Sequence, residues 1–369
     1  MTSTPTLSPA PGDRFRLKNL FTLAPSNGDH WVGLRAGLGV MLPLLLLIAM
    51  GRLDLAPYVV FGAFVGIYSR VPGHLDRLLM QLKAGGLMWL VVLLAWFSGN
   101  YLVRGAADTA GVWALVGATT IVAGGASVLA GMLRLRPAGS MFHIFAFAAI
   151  SSMPAQPPLG EGMFATTATI FLALILGQLG RLAPLQRTPW QVTPAPPLSR
   201  RMSRAIWQEG LAYMLAAGAA GTVAALVSGP LGMGHTYWAM VAAVVPLAGK
   251  TTRHRLVRAV HRVLGTGGGL VLMALIVLLQ PQPWLAVLII GLMQFLAEVY
   301  VTRNYFWAQL FVTPLALVGT SLGKPLTGAI LYDRAVETLI GVVIGVIVVV
   351  LMNAASRPQE HRVHVLEAP

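Results

Sequence analysis

Ala335-Val-Glu-Thr-Leu-Ile-Gly-Val-Val-Ile-Gly-Val-Ile-Val-Val-Val-Leu-Met352 is eighteen residues long and carries one charge, that of Glu337. About 20 apolar residues take a helix across the hydrocarbon core of a bilayer, so this run reads as a transmembrane helix. The rest of the chain agrees with it. Of 369 residues, 56% are hydrophobic and 10% are charged, and the mean hydropathy is +0.73. A soluble fold carries about 25% charged residues, because its outside must face water. Here the outside must face lipid, which excludes an ordinary cytosolic enzyme, a disordered chain and a disulfide-stapled secreted module. The chain has no cysteine, which removes disulfides, thiolate metal sites, iron–sulfur clusters and cysteine nucleophiles.

Working outward, apolar runs broken by Arg, Pro or Gly fall at 31–50, 55–68, 84–103, 112–132, 141–153 and 163–183. A second set falls at 207–228, 235–249, 264–279, 284–300, 305–320 and 335–352. The expected fold is therefore all-α, a polytopic membrane protein of about twelve transmembrane helices. The runs 55–68, 141–153 and 235–249 are short, and a short span crosses only where the bilayer thins or protein covers its ends. The first run follows some thirty polar, Pro-rich residues, so it reads as a retained span and not as a secretory signal.

The formal net charge is +14. Arg and Lys near spans stay cytoplasmic, so the basic residues test the topology. With the N-terminus inside, 21 of the 26 basic residues fall in cytoplasmic segments. Only Arg52, Arg104, Lys324 and Arg334 fall outside, and Arg35 lies within the first span. The expected location is a bacterial inner membrane, multi-pass, with both termini cytoplasmic. The same spread over many turns argues against a nucleic-acid groove.

The two sets of six resemble each other. Arg77-Leu-Leu-Met-Gln-Leu-Lys-Ala-Gly-Gly86 and Arg258-Ala-Val-His-Arg-Val-Leu-Gly-Thr-Gly267 occupy corresponding places, and the fifth spans open with Phe142-His143 and Phe306-Trp307. Six is even, so the halves share one orientation and form a parallel repeat, an arrangement that places transporter sites at the interface of the halves. The expected organisation is a cytoplasmic segment 1–30, a first membrane half 31–183, a linker 184–206, a second half 207–352 and a tail 353–369. The linker is Pro- and Arg-rich and reads as semi-extended. Residues 250–263 read as an amphipathic surface helix, with Leu256, Val257, Val260 and Val263 toward the membrane and Arg253, Arg255, Arg258 and Arg262 on lipid phosphates.

Over 235–345 the motifs become specific. His235-Thr-Tyr-Trp238 opens a short span, Arg262-Val-Leu-Gly265-Thr266-Gly-Gly-Gly269 follows, and Arg334-Ala-Val-Glu337-Thr338-Leu-Ile-Gly341 starts the last span. This order resembles the fusaric-acid-resistance (FUSC) family, which includes aromatic acid exporters. The first half matches only as a degenerate repeat, with Gln81 and Ala84 where Arg and Gly are expected. The resemblance implies efflux of aromatic carboxylic acids or related organic anions. Many members carry a large cytosolic domain after each six-span block, in place of which this chain has the short linker and tail.

Other motifs carry less. Gly249-Lys250-Thr251 ends like a phosphate-binding loop, but Val244 stands where the loop needs Gly, so no ATP site follows. His361 and His364 have a metal-like spacing that chance explains better, and no nucleophile, base and oxyanion set assembles. No cofactor, metal or enzyme activity is expected. Small-residue pairs Gly33/Gly37, Gly62/Gly66, Gly265/Gly269 and Gly341/Gly345 let helices approach closely in a bilayer. Arg262, Gly265, Thr266, Gly269, Arg334, Thr338 and Gly341 read as a structural motif, with Arg262 reaching phosphate or a partner helix and Thr266 bonding back along its own helix.

Charges inside spans are costly and point to function; Arg35, Glu209, Glu298 and Glu337 qualify. Glu298 is the first candidate for proton coupling, tuned by Arg303, and Glu337 the second, with an i,i+3 pair to Arg334 expected. A carboxylate substrate needs a cation or amide dipoles beside aromatic rings. His235, Tyr237, Trp238, Tyr305 and Trp307 are the candidate substrate-binding residues, although Trp and Tyr also anchor span ends. The expected function is an inner-membrane secondary transporter exporting aromatic or other small organic acids, driven by protons. An organic-anion channel and a non-transporting membrane scaffold are the alternatives. The expected partners are the organic-acid substrate and membrane lipids, with a homo-oligomer or a periplasmic adaptor as further options.

Overall fold

The computed structural model describes residues 18–26, 28–70, 73–103, 108–182, 187–231, 236–249, 251–322 and 328–366. The helices are α1 (Asp29–Met50), α2 (Ala56–Ala63, extended by a tight turn Phe64–Ile67), α3 (His74–Phe97, ending in a wide turn Ser98–Val103) and α4 (Asp108–Met132). Next come α5 (Met141–Ser151), α6 (Leu159–Gln178), α7 (Arg200–Leu231) and α8 (Tyr237–Val244, then a tight turn Pro246–Ala248). The chain continues through α9 (Thr252–Leu279), α10 (Pro283–Tyr300), α11 (Tyr305–Thr320) and α12 (Gly328–Leu366). A short helical turn, Lys18–Phe21, precedes them. The described residues contain no strand. Helices alone satisfy every backbone group within one segment, which is what lipid demands.

Local chemistry sets several boundaries. Gly51, at φ 67°, closes α1 in the left-handed region that a side chain disfavours. Pro283 starts α10 where its missing N–H costs nothing. Asn304 caps α11 by accepting from the Phe306 amide at 2.9 Å, and Thr251 caps α9 by accepting from the His254 amide at 3.2 Å.

Among the described residues, eight helices are long and apolar enough to cross a membrane: α1, α3, α4, α6, α7, α9, α10 and α12. The chain is a multi-pass membrane protein. The other four helices, α2, α5, α8 and α11, are apolar but short. At 16 residues α11 is about 24 Å long, less than the roughly 30 Å hydrocarbon core. Burial explains how they are tolerated. Every residue of α8 is buried, as are most of α2 and α5, so protein and not lipid surrounds them. The long helices form the outside and the short ones the centre.

The packing follows a regular scheme. α1 packs on α10 and α4 on α7, and these two seams join residues 29–182 to residues 200–366. Within the first six helices α2 meets α6 and α3 meets α5; within the last six α8 meets α12 and α9 meets α11. At the α1–α10 seam, a Cβ built on Gly33 would stand 2.7 Å from the Phe295 carbonyl oxygen, and one on Gly37 2.8 Å from that of Gly291. The two glycines are what let these backbones touch.

Three sequence expectations change here. The expected surface helix over 250–263 is not a separate element, because residues 252–263 are the first turns of α9. The linker is extended only to Ser199, because α7 begins at Arg200. Its exposed stretch docks on the first helices through Thr193, whose amide donates to Asp76 Oδ1 at 3.0 Å, and through Arg181 over the Trp190 ring at 4.4 Å. The expected tail after 352 continues α12 to Leu366.

The ends of the bundle are called near and far below. The near end holds the start of α1, the end of α10 and the start of α11; the far end holds their opposite ends.

Candidate functional site

A cavity of about 890 Å³ occupies the centre, between the first six helices and the last six. All four short helices line it, together with parts of α9, α10 and α12. It runs from the far-end turns around Asp54, Pro154 and Ser321 to Glu298 and Val301 at the near end. Its size falls in the range of small-molecule sites.

One wall is aromatic. Phe61 and Phe64 from α2 and its turn meet Phe145 and Phe142 of α5, with ring centroids 5.0 and 5.4 Å apart. Phe145 continues onto Trp238 at 4.7 Å and Tyr237 at 6.4 Å, both at the start of α8. Edge-to-face and tilted contacts of this kind favour fixed rings over a fluid wall.

Cations adjoin this wall. Arg334, six residues into α12, is 1% exposed and lies over the Trp238 ring at 4.0 Å. Arg262 on α9 is 2% exposed and donates from Nη1 to Gln309 Oε1 at 2.7 Å. Gln309 is held on both sides, since its Nε2 donates to Thr266 Oγ1 at 3.2 Å and Thr313 Oγ1 at 3.1 Å. Tyr305 donates its hydroxyl to Gln309 Oε1 at 3.1 Å, and Arg258 covers the Tyr305 ring at 4.3 Å. The Nε and Nη2 of Arg262 and the Nε and Nη1 of Arg334 are buried and find no hydrogen-bond partner among the described residues. Both guanidinium groups border the cavity with donors unmet, where a buried charge is costly, and the Glu337 carboxylate acts on Arg334 from its own helix. An anion supplies what they lack, and the planar fork suits a carboxylate.

Close packing fixes this geometry. A Cβ on Gly341 would meet Ala242 Cβ at 2.7 Å and the Ala239 carbonyl oxygen closer still, so Gly341 sets the spacing of α12 from α8. A Cβ on Gly265 would meet Gln309 Cβ at 2.7 Å, and one on Gly269 the Leu310 carbonyl oxygen at 2.7 Å. These bring α9 against α11. Thr338 and Glu337 are buried on α12 beside Arg334.

The structure brings Tyr237, Trp238 and Tyr305 to the cavity, while His235 lies outside the described residues. Trp307 does not line it. It donates from Nε1 to the Phe21 carbonyl at 3.2 Å, because α11 turns that face toward the N-terminal segment. Arg262 is not at lipid phosphate; it is buried on α11, a helix of its own half. Arg255 and Arg258 also turn inward, their Nε atoms donating to the carbonyls of Gly249 and Val245. Thr266 engages Gln309 across the helix pair, where a bond along its own helix was expected. Arg334, expected outside, is in the core of α12.

Glu298 has a different partner from the one expected. Arg303 points to the Ala24 carbonyl at 2.8 Å, and the cation beside Glu298 is Arg70. Arg70 also pairs with Asp29 at 3.0 Å. Sequence reading missed Arg70, Asp29, Gln309 and the phenylalanine wall. Gln309 had one available signal, since it stands one helical turn after Tyr305. Arg70 had none, since its partners lie 41 and 228 residues away. Among the described residues, no group of three or more His, Asp or Glu could hold a metal.

The geometry can be set beside known proteins. Residues 213–348 match the family described as fusaric acid resistance protein-like. The match spans a little over a third of the chain. The match contains α8 to α11, most of α7 and α12, and with them Arg262, Gln309, Arg334 and Trp238. A curated relative, the uncharacterized membrane protein YvaC of Bacillus subtilis (strain 168), is 31% identical over 123 residues. That similarity covers 33% of this chain and 20% of the relative's length. No solved structure matches the chain.

Proposed function

We propose that this protein is a secondary transporter of aromatic or other small organic anions, which it binds in the central cavity and exports across a bacterial inner membrane. One observation carries the reading: Arg262 and Arg334, two buried guanidinium groups with unmet donors, border a cavity between the two sets of helices whose lining also holds Phe145 and Trp238. A carboxylate placed on the guanidinium groups leaves an attached ring against Phe145 and Trp238. The charge pairs, and the ring stays out of water. In this reading the helices form two parallel six-helix repeats. The recurrence of each pairing six helices on, as α1 on α10 recurs in α7 on α4, supports that. The near end is cytoplasmic, because the basic residues gather there. The four short helices complete twelve crossings by lining the cavity instead of meeting lipid.

Export against a gradient draws on protons in this reading, with Glu298 and Glu337 as the carboxylates that carry them. Glu298 lines the cavity, and Glu337 is one turn from Arg334. A channel is the second reading. The near-end ion pair Arg70–Glu298 between the two sets of helices favours a carrier, which must close one end at a time. Purified protein in vesicles tests both readings. Benzoate should bind, its uncharged amide should not, and Arg334→Gln should weaken benzoate by about 10- to 100-fold, the value of one charge-assisted hydrogen bond. Equal affinity in a folded Arg334→Gln variant would remove the cavity from the mechanism. Flux that ignores an imposed pH gradient would favour the channel.

A further inference from the structure

We propose that Asp29, Arg70 and Glu298 form an exchangeable charge latch across the near end of the cavity, opened when a substrate carboxylate replaces that of Glu298 on Arg70. The inference rests on the transport reading and assigns these residues a role in admitting the substrate.

The latch joins the two sets of helices. Arg70 follows α2, and Asp29 opens α1; Glu298 closes α10, with Thr302 just beyond it. Arg70 divides its guanidinium between them. Nη1 donates to Asp29 Oδ1 at 3.0 Å, while Nη2 donates to the Glu298 carboxylate and, at 2.9 Å, to the Glu298 carbonyl oxygen. Asp29 Oδ1 also accepts from Thr302 Oγ1 at 2.8 Å, so each side of the seam holds a carboxylate tied to the other side. The ion pairs Arg52–Asp54 and Arg52–Glu161 at the far end both stay within the first six helices.

Position gives the latch its trigger. Glu298 lines the cavity and Arg70 does not, so the Glu298 carboxylate is the group between the cavity and that cation. Gln294, one turn earlier, also lines the cavity and donates to Glu298 Oε1 at 3.4 Å. Pulling Glu298 away leaves Arg70 with Asp29 alone and costs one ion pair, which opposes opening without a ligand. A second carboxylate replaces the first on Arg70 with the same kind of bond, so exchange spares the cation that cost, and the displaced Glu298 carboxylate keeps the Gln294 amide and turns to the cavity or takes up a proton. An apolar seal would offer an anion nothing to exchange with.

The N-terminal segment would move with it. Asn304 Nδ2 donates to the carbonyls of Leu20 at 2.8 Å and Thr22 at 3.0 Å, and Arg303 Nε to that of Ala24. The strap therefore follows the turn between α10 and α11, which holds Thr302.

The natural absence of cysteine allows a direct test. Spin labels at Lys83→Cys and Arg253→Cys, both exposed near-end positions, report the separation of the two sets of helices by pulsed EPR in vesicles. Benzoate should shift the distance distribution toward a longer population, and benzamide should not. Glu298→Gln should show the longer population without benzoate, because the amide is uncharged and no longer pairs with Arg70. Arg70→Lys keeps a cation without the fork and should give an intermediate shift, which also covers a Glu298→Gln variant that folds poorly. A short distance in both variants, unchanged from the parent, would overturn the latch. So would benzoate binding to the parent without any change in distance. Failure of benzoate to bind at all would count against the transport reading, and the latch would then stand or fall on the two variants alone.

Discussion

Gly341→Ala adds one methyl group where α12 crosses α8, and its effect follows from distances. The new Cβ would sit 2.7 Å from Ala242 Cβ and 3.0 Å from the Ala243 amide nitrogen. Carbon atoms rest about 3.5–4.0 Å apart, so the helices must separate by roughly 1 Å. Overpacking of this kind costs about 1–3 kcal/mol. The better helix propensity of Ala returns up to about 1 kcal/mol, so contacts this close, at the upper end of that range, leave a net loss of about 2 kcal/mol. The same movement carries Arg334 on α12 away from Trp238 on α8, now 4.0 Å apart. Benzoate affinity should therefore fall along with stability, by about tenfold for each 1.4 kcal/mol lost at the site. Thermal unfolding in detergent and benzoate titration measure the two effects. Gly267→Ala is the control, because a Cβ there meets nothing within 4 Å and should leave stability unchanged or slightly raised. A Gly341→Ala variant that melts with the parent and binds benzoate equally would refute the argument that this glycine sets the site.

Three further outcomes follow from the structure. Gln309→Leu should destabilise strongly, by about 1–3 kcal/mol for each buried group left unpaired, because Arg262 and Tyr305 both lose the Gln309 oxygen and keep only their 3.5 Å contact with each other; unfolding in detergent reads it. Trp307→Phe should leave benzoate affinity unchanged while exposing residues 18–26 to proteolysis, since its indole holds the Phe21 carbonyl and not the cavity. A weakened benzoate site in that variant would contradict the placement. A topology reporter fused at Pro194 should behave as cytoplasmic, and activity on the outer face would invert the proposed orientation.

Sequence alone determined the medium, the helical class and the places of the helices. These depend on composition and on runs of adjacent residues, and the hydrophobic effect reads both without reference to distant parts of the chain. It also picked out Tyr237, Trp238, Tyr305, Arg262 and Arg334, through aromatic rings at span ends and two short motifs. It could not tell the last two from lipid-facing or loop arginines, because a helix position has no sidedness until its neighbours are known. Trp307 shows the same limit, being two residues from Tyr305 and therefore on another face of the same helix. Only the tertiary structure showed that the four short helices are central, since burial by other helices is what excuses their length. Only it joined Arg70 to Glu298, 228 residues apart, because an ion pair across a helix seam leaves no periodic trace in either segment. The cavity itself belongs to this second kind, formed where residues from both sets of six helices converge.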